Sequence, residues 1–486
     1  MAGIGFELRK LFSRQGMFQN IEANLYASIV TSGPMIMGAV LLFGMKYLAI
    51  FAGASPHEQD LIVVGTTYAL LFSLLLVSTL SFVLSRYIAD MIFQNKFDRV
   101  LPALYGAISI LLIIGAIGWG IFLYFTALPL EYSVLLSILF CVAVVVWLQI
   151  IFITAVKDYR SIMLGFALGV IMSLVVGYVL ITAGNEVIAS LYIAASVGYG
   201  IMMFIYTTVL HKYFPIGKGS ALRFIEWIER YPSLSFVGFF VTLGLFIHLM
   251  LMWSSPWGGQ VYGLIHHAPR HDIPALVAFF SILVTTVNFV TSVEVNFYPR
   301  YRLYCSLLNN GGSLSDISKA YAEMMTVLKQ EMFYLALRQF FVTIIAIVVV
   351  GEIINTLGLG FSNEMIGLFR VLCVGYAFYA IGNSIMLFLL YFADNSDALL
   401  IAFTFFLVNT VGTWITIQLP STYYGFGLVV GGFAMYVVGW LRLSSYTNRL
   451  DYFIFSRQPF FFKEPNGILA RLARRLDANT KLTTQQ

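Results

Sequence analysis

Residues 132–155 read YSVLLSILFCVAVVVWLQIIFITA, an apolar stretch without a charged residue. About 20 such residues are enough for an α-helix to cross the hydrocarbon layer of a membrane. Apolar and polar residues do not alternate strictly along the stretch, as they would in a strand of a membrane barrel. Because every backbone N–H and C=O group in lipid needs an internal partner, the stretch predicts a membrane-spanning helix.

The rest of the chain has the same character. Of its 486 residues, 60% are hydrophobic and only 10% are charged, whereas soluble domains carry about 25% charged residues. The composition therefore predicts an all-α integral membrane protein.

Apolar stretches between polar breaks predict about 12 transmembrane helices in two sets of six. The first set lies near residues 23–51, 61–92, 101–127, 132–155, 161–183 and 187–210. The second set lies near residues 233–253, 274–297, 340–360, 366–391, 398–418 and 424–442. An even number of spans places both termini on the same side of the membrane.

The distribution of Lys and Arg predicts the orientation, because these residues concentrate in cytoplasmic loops. With the N-terminus inside, all of the 28 Lys and Arg residues except Lys46, Arg270 and Arg370 fall on the inner side. The outer turns carry acidic residues instead. The net charge of +5 is thus explained by topology and does not indicate nucleic-acid binding.

The spans divide the chain into five regions. They are a cytoplasmic amphipathic N-terminus (1–22), an N-lobe (23–210), a cytoplasmic inter-lobe segment (211–232), a C-lobe (233–442) and a basic cytoplasmic tail (443–486). Two six-helix lobes are able to rock against each other around a central cavity. Within the C-lobe, apolar residues at helical spacing near 314–338 predict an amphipathic helix on the inner surface or a docking site for a partner.

Motifs for enzyme chemistry are weak. The residues from Gly217 to Ser220 lack the spacing of a phosphate-binding loop. His266, His267 and His271 have a spacing that zinc could use, although a hydrated loop explains them better. The sequence therefore predicts neither an enzyme nor a bound metal or cofactor.

Three charged residues inside predicted spans are candidates for a substrate path, because buried charges in a membrane usually face a cavity or a partner. Lys46 lies in the first span, Glu352 in the ninth and Arg370 in the tenth. The hairpin joining the last two spans is short. Glu352 and Arg370 are therefore predicted to form either a structural ion pair or part of a cavity lining.

Polar and aromatic residues in the spans are further path candidates. They are Asn288, Asn383, Asn409 and the tyrosines of one helix face, Tyr192, Tyr199 and Tyr206. Phenol rings offer a sugar an apolar face and a hydrogen-bonding edge. Bonding between helices explains each single amide better, and packing or interface anchoring explains the tyrosines at least as well.

Two other features suggest movement and docking. Gly33 and Pro34 predict a kink in the first span, because proline removes a backbone hydrogen bond. Basic residues on the predicted inner side are candidates for partner docking or contact with anionic lipid. They are Arg300, Arg302, Arg471, Arg474 and Arg475.

The opening string MAGIGFELRK, the Ser32-Gly33-Pro34 sequence and the segment from Arg300 to Tyr304 resemble the PelG family of Pel exopolysaccharide transporters. The resemblance runs along the whole chain. It implies a MATE-like member of the multidrug/oligosaccharidyl-lipid/polysaccharide (MOP) exporter superfamily in the bacterial inner membrane. The implied cargo is the N-acetylgalactosamine-rich Pel polymer of the biofilm matrix.

The same resemblance implies three partners. They are a cytoplasmic glycosyltransferase, a membrane subunit that binds cyclic-di-GMP and a membrane subunit with tetratricopeptide repeats. Two alternatives remain, a flippase for polyprenyl-diphosphate-linked oligosaccharides and a structural anchor of a synthase complex. A membrane-embedded glycosyltransferase would need paired carboxylates on a sizeable soluble domain or outer loop, which the sequence lacks. The energy source stays open.

Overall fold

The computed structural model describes residues 33, 36–217, 220–356, 361–450, 452–453, 467–468, 470–471 and 474–475. The predicted N-terminal segment 1–22 and Pro34 of the predicted kink lie outside the described residues. Gly33 is described and buried, and a Cβ atom at this position would lie 3.2 Å from Cγ of Met163.

The first half of the chain forms six apolar helices. They are α1 (Ile36–Phe51), α2 (Pro56–Phe93), α3 (Val100–Thr126), α4 (Leu130–Ala155), α5 (Tyr159–Thr182) and α6 (Val187–Tyr213). A short helix α7 (Ile225–Arg230) follows within the predicted inter-lobe segment.

The second half begins with α8 (Pro232–Trp253) and an antiparallel hairpin of β1 (Gly259–Tyr262) and β2 (Ile265–His267). The remaining helices are α9 (Pro269–Phe279), α10 (Leu283–Thr291), α11 (Tyr298–Asn309), α12 (Leu314–Ile345), α13 (Gly351–Thr356), α14 (Asn363–Tyr391), α15 (Asn395–Ile417) and α16 (Phe426–Thr447).

The apolar helices agree with the predicted spans in number and order. In the described part of the chain, eleven helical stretches are long and apolar enough to cross a membrane, and α1 is a shorter apolar helix. Six of these twelve precede α7 and six follow it. The prediction of an all-helical membrane protein is confirmed.

Side-chain caps explain where several helices begin. Ser313 accepts a hydrogen bond from the backbone N–H of Asp316 (3.2 Å) at the start of α12. At the start of α15, Asp394 accepts a bond from the backbone N–H of Asp397 (3.4 Å). Such side chains satisfy N–H groups that the first helical turn leaves unpaired. Capping therefore accounts for Asp394 at the start of α15.

Two apolar cores form, one in each half of the chain. Small residues let helices approach closely within each half, as is common in membranes. A Cβ atom at Gly198 of α6 would lie 2.6 Å from the carbonyl oxygen of Gly169 in α5. Likewise, a Cβ atom at Gly432 of α16 would lie 2.7 Å from the carbonyl oxygen of Gly375 in α14. The two halves therefore pack as separate lobes.

The structure differs from the sequence prediction at residues 314–338. These residues form the first part of the continuous helix α12, which leads through a π-helical turn (Ala346–Val350) into α13. The apolar stripe of Ala320, Met324 and Leu328 packs into the C-lobe core, and Tyr321 donates a hydrogen bond to the carbonyl of Thr447 (2.8 Å). The stripe is thus buried by protein and does not form a separate surface helix.

The predicted span 274–297 is interrupted in the structure. A 3₁₀ turn (Phe280–Ile282) separates α9 from α10, and a π-helical segment (Ser292–Phe297) follows α10. Such local changes of helical pitch are frequent at functional positions.

Candidate functional site

The two lobes meet mainly along α2 and α8, a contact that we call the lobe interface. A Cβ atom at Gly238 of α8 would lie 2.2 Å from the carbonyl oxygen of Ser78 in α2. Glycine is therefore required for this close approach. The helices are in backbone contact near the middle of the interface.

At one end of the lobe interface, which we call the hairpin end, the rings of Tyr68 (α2) and Trp253 (α8) stack. Their centroids are 4.7 Å apart and their planes are inclined by 19°. The Tyr68 hydroxyl donates to the carbonyl oxygen of His266 (2.9 Å) and accepts from the N–H of His266 (3.1 Å). Aromatic stacking and two hydrogen bonds thus close this end.

The β-hairpin extends that closure across the lobe boundary. It follows α8 in the chain, but Val261 and Ile265 are buried in the apolar core of the N-lobe. At the hairpin turn, Gly263 has φ +50°, and a Cβ atom there would lie 2.0 Å from the carbonyl oxygen of Thr126. The hairpin therefore holds the second half of the chain to the N-lobe.

At the opposite end, which we call the Arg86 end, α2 contacts α7 and the start of α8. The Arg86 guanidinium carbon lies 5.6 Å from the ring centroid of Tyr231. Trp227 packs edge-on against Tyr87 and donates from Nε1 to Oδ2 of Asp90 (2.8 Å). Polar and aromatic side chains at this end therefore join α2 to the inter-lobe segment that leads into α8.

The predicted tyrosine row is buried within the N-lobe. Tyr192 donates to the carbonyl of Leu61, and Tyr206 donates to the carbonyl of Ile162, both at 2.7 Å. The ring of Tyr199 packs at 6.3 Å from that of Trp147. The packing alternative explains this geometry, because two of the hydroxyls are bonded to neighbouring helices.

Asn409 is also buried, and its amide nitrogen donates to the carbonyl of Gly244 (2.8 Å). It therefore joins α15 to α8. Asn383 is half-buried in α14.

Asn288 belongs to a polar contact between α10 and α12. Its side-chain oxygen accepts a hydrogen bond from Arg338 (2.9 Å). The fully buried Gln339 accepts from the hydroxyl of Thr285 and donates to Thr343 (3.0 Å). Sequence reasoning missed Gln339, although an amide at the edge of an apolar run is a usable signal.

The predicted charged path residues lie in three helices. Lys46 is half-buried in α1, whereas Glu352 (α13) and Arg370 (α14) are exposed on the protein surface. Nε of Arg370 lies 3.9 Å from where a Cβ atom at Gly351 would be. The structure thus brings Arg370 beside the residue that precedes Glu352, and the predicted pair stays a prediction.

The predicted docking residues occupy two places. Arg300 and Arg302 are exposed on α11, and Arg300 donates to the carbonyl of Asn296 (2.6 Å). In the tail, Arg471 and Arg475 are exposed. Tail residue Arg474 contacts Glu226 of α7 at 3.4 Å.

In the part of the chain that the structure describes, the predicted histidines His266, His267 and His271 do not form a metal site. Among the described residues, no group of three His, Cys, Asp or Glu side chains is placed to hold a metal ion. His266 and His267 belong to β2, whereas His271 is buried in α9.

Comparison with protein families gives a match over residues 1–455 to the family described as "PelG: Putative exopolysaccharide Exporter (EPS-E)". The chain belongs to the PelG family. It is therefore a multi-pass membrane protein of an exopolysaccharide exporter family and not an enzyme. The family predicted from the N-terminal string and the Arg300 segment is confirmed.

Solved structures show that this PelG-family chain has the fold of MOP and MATE transporters. An outward-facing multidrug resistance MATE family transporter superposes with a TM-score of 0.61 at 14% identity, covering 88% of this chain and 96% of that chain. A MATE protein in the bent conformation gives 0.60 at 13% identity, covering 92% and 98% of the two chains.

A MOP superfamily transporter from Pyrococcus furiosus gives a TM-score of 0.55 at 14% identity, covering 87% of this chain and 96% of that chain. No curated protein sequence matches the chain. At these identities the structural likeness shows the fold alone.

Proposed function

We propose that this PelG-family protein carries a Pel-type, N-acetylgalactosamine-rich polysaccharide across the bacterial inner membrane for the biofilm matrix. The lobe interface is the observation that supports this role most directly. Two lobes that meet mainly along α2 and α8 are able to tilt about this helix pair. Tilting requires that the contacts at one end of the interface open while those at the other end are kept.

The contacts at the hairpin end suit a neutral sugar polymer. The rings of Phe72 and Phe122 lie within 5.9 Å of the Tyr68 ring, beside its stack on Trp253. Aromatic faces pack against the apolar faces of sugar rings, and phenol and indole groups supply hydrogen bonds. A polymer entering the interface would replace contacts of the same chemistry.

Both termini, α7 and the Arg86 end lie on the cytoplasmic side in this proposal, as the Lys and Arg distribution predicts. The exposed Arg300 and Arg302 then face the cytoplasm. We place the glycosyltransferase on this face, where it feeds the growing polymer into the interface. The subunit that binds cyclic-di-GMP and the subunit with tetratricopeptide repeats complete the proposed complex.

Cross-linking of the lobes in vesicles tests the proposal. The native cysteines Cys141, Cys305 and Cys373 are first replaced by alanine. Cysteines are then introduced in place of Arg86 of α2 and Tyr231, the residue at the N-terminus of α8, which lie in contact, and are joined by a bismaleimide so that the start of α8 is fixed to the N-lobe. The protein is reconstituted with its glycosyltransferase, and polymer in the vesicle lumen is measured.

A matched control joins two positions within the N-lobe, Tyr132 and Glu186, whose side chains are hydrogen-bonded. We expect the cross-link between the lobes to stop delivery of polymer and the control cross-link to leave it unchanged. Equal delivery after both cross-links would contradict movement between the lobes. Absence of luminal polymer with the uncross-linked protein would contradict export itself.

A further inference from the structure

A buried group of ionisable side chains lies within the C-lobe, next to the hairpin end. His248 comes from α8, whereas His271 and Asp272 come from α9. Both imidazoles are 1% exposed, and their ring centroids are 5.2 Å apart. We call these three residues the histidine cluster.

Hydrogen bonding within the cluster is incomplete. Nδ1 of His271 lies 3.5 Å from Oδ1 of Asp272, but neither atom makes a hydrogen bond to the described residues. Nε2 of His248 lies 3.2 Å from the Tyr376 hydroxyl. Buried polar atoms without partners are rare in folded proteins. Their concentration here indicates that the cluster is built for a further occupant.

The charge of the cluster indicates that this occupant is a proton. The Tyr376 phenol of α14 faces it, with Cys373 and Tyr379 near Tyr376 on the same helix, and Tyr68 of α2 lies beyond Trp253. These groups are ordinarily neutral near pH 7, whereas a carboxylate is ionised. With both imidazoles neutral, the cluster carries the single negative charge of Asp272. One added proton cancels that charge, which is costly to bury in a membrane protein.

A route for the proton is present. The Asp272 side chain is 29% exposed, whereas that of His271 is 1% exposed. Asp272 therefore connects the surface near the hairpin end with the buried imidazoles. In the predicted topology this surface faces the outside of the cell.

Asp272 also links the cluster to the contact between the lobes. Its Oδ2 atom accepts hydrogen bonds from Nε1 of Trp253 (3.1 Å) and from the backbone N–H of Ala268 (3.0 Å). Trp253 is the residue that stacks on Tyr68 of the other lobe. A single hydrogen bond therefore separates the histidine cluster from the lobe interface.

We propose that the histidine cluster is a proton-binding site that controls closure of the hairpin end. The proton enters at Asp272 and is shared between Oδ1 of Asp272 and Nδ1 of His271. Hydrogen bonds to a charged carboxylate are roughly twice as strong as those to a neutral one. Proton binding therefore weakens the bonds that hold Trp253 and loosens its stack on Tyr68. Use of this movement to drive transport rests on the proposed function, whereas proton binding does not.

Distance measurements on the purified full chain test the proposal. Spin labels are placed at Leu130 of α4 in the N-lobe and at Tyr423, which precedes α16 in the C-lobe, both exposed, after replacement of the native cysteines. We expect a longer-distance population that grows as the pH falls from about 8 to about 5, the range in which imidazole clusters titrate. An unchanged distance distribution over this range would overturn the proposal.

Three substitutions locate the response. Asp272→Asn should give the long-distance population at every pH, because the amide is neutral. Trp253→Phe retains an aromatic ring and removes the N–H, so it should abolish the distance response while pH-indicator dyes still detect proton uptake. The exposed His57 lies outside the cluster, and His57→Gln should respond like the unaltered protein.

The outcomes separate this site from the proposed function. A pH response that survives in Asp272→Asn, or that disappears in His57→Gln, would overturn the assignment to the histidine cluster. Normal distance changes in a protein that delivers no polymer to vesicles would contradict polymer export and leave the proton site intact.

Discussion

The indole ring of Trp253 stacks on the phenol ring of Tyr68 at a centroid distance of 4.7 Å, and the two residues belong to different lobes. Trp253 is held from its own lobe by Asp272. Tyr68 is held to the β-hairpin by its hydrogen bonds with the backbone of His266. This pair is therefore the point at which lobe contact, hairpin and histidine cluster meet.

Tyr68→Phe tests the hydrogen bonds without removing the ring. We expect a stability loss of about 1–3 kcal/mol, because the backbone groups of His266 lose their partner. Loosening of the hairpin should also speed trypsin cleavage after Arg270, measured by gel electrophoresis. Tyr47 is 70% exposed, and Tyr47→Phe serves as the control. Equal cleavage rates in the two variants would argue against this role of Tyr68.

Gly238→Ala tests the close approach of α2 and α8. A methyl group there would meet the carbonyl oxygen of Ser78 at 2.2 Å, so we expect a loss of about 1–3 kcal/mol from overpacking. The control is Gly120→Ala in α3, where no atom lies within 4 Å of the added Cβ. That change should be neutral or slightly stabilising, since alanine favours helices. Thermal unfolding in detergent compares the variants, and an equal effect would contradict the contact.

Tyr206→Phe separates packing from substrate contact in the predicted tyrosine row. Loss of the hydrogen bond to Ile162 should lower stability by about 1 kcal/mol. Polymer delivery per folded molecule should stay unchanged, because the ring is buried within the N-lobe. A fall in polymer delivery at normal stability would instead indicate that Tyr206 contacts the substrate.

Glu352→Gln tests the predicted ion pair between Glu352 of α13 and Arg370 of α14. We expect this single change to impair stability and export more than the double change with Arg370→Gln, because it leaves the Arg370 charge without its predicted partner inside a predicted membrane span. Glu364→Gln, at the exposed start of α14, is the control for removal of an acidic residue. Equal defects in the single and double variants would exclude the ion pair.

Truncation before Arg471 tests the basic tail. We expect less partner protein or membrane lipid to copurify with the truncated chain. The truncation removes Arg471, Arg474 and Arg475, whose positive charges attract an anionic surface. Glu226→Gln is the matched control, since it breaks the contact with Arg474 and leaves the tail charges in place. Unchanged recovery after truncation would refute the docking role, and equal loss in both variants would assign it to the intramolecular contact.

Contacts between residues close together in the chain can be predicted from the sequence, whereas contacts between distant residues cannot. Capping of α12 by Ser313 is a local interaction between residues three positions apart, and its pattern is visible in the sequence. By contrast, Asn409 bonds to Gly244 and Tyr192 bonds to Leu61 across more than a hundred residues. A polar residue in an apolar stretch looks the same whether it bonds a neighbouring helix or faces a cavity, so the sequence left both alternatives open.

The β-hairpin shows the same limit. Its sequence lies in a predicted outer loop after α8, and only folding shows that Val261 and Ile265 enter the N-lobe core. The apolar stripe that includes Met324 and Leu328 is visible in the sequence, but the C-lobe core that buries it is not. A helical stripe specifies that a face will be buried and does not specify which surface will bury it.

The sequence by itself determined the helical membrane architecture and the order of the spans. Lipid makes this possible, because the length and composition of each stretch decide whether its backbone can cross a membrane. Only the tertiary structure decided that Tyr68 meets Trp253 and that Asp272 joins this contact to two buried histidines. These relationships depend on how each helix is rotated and on which distant helix packs against it.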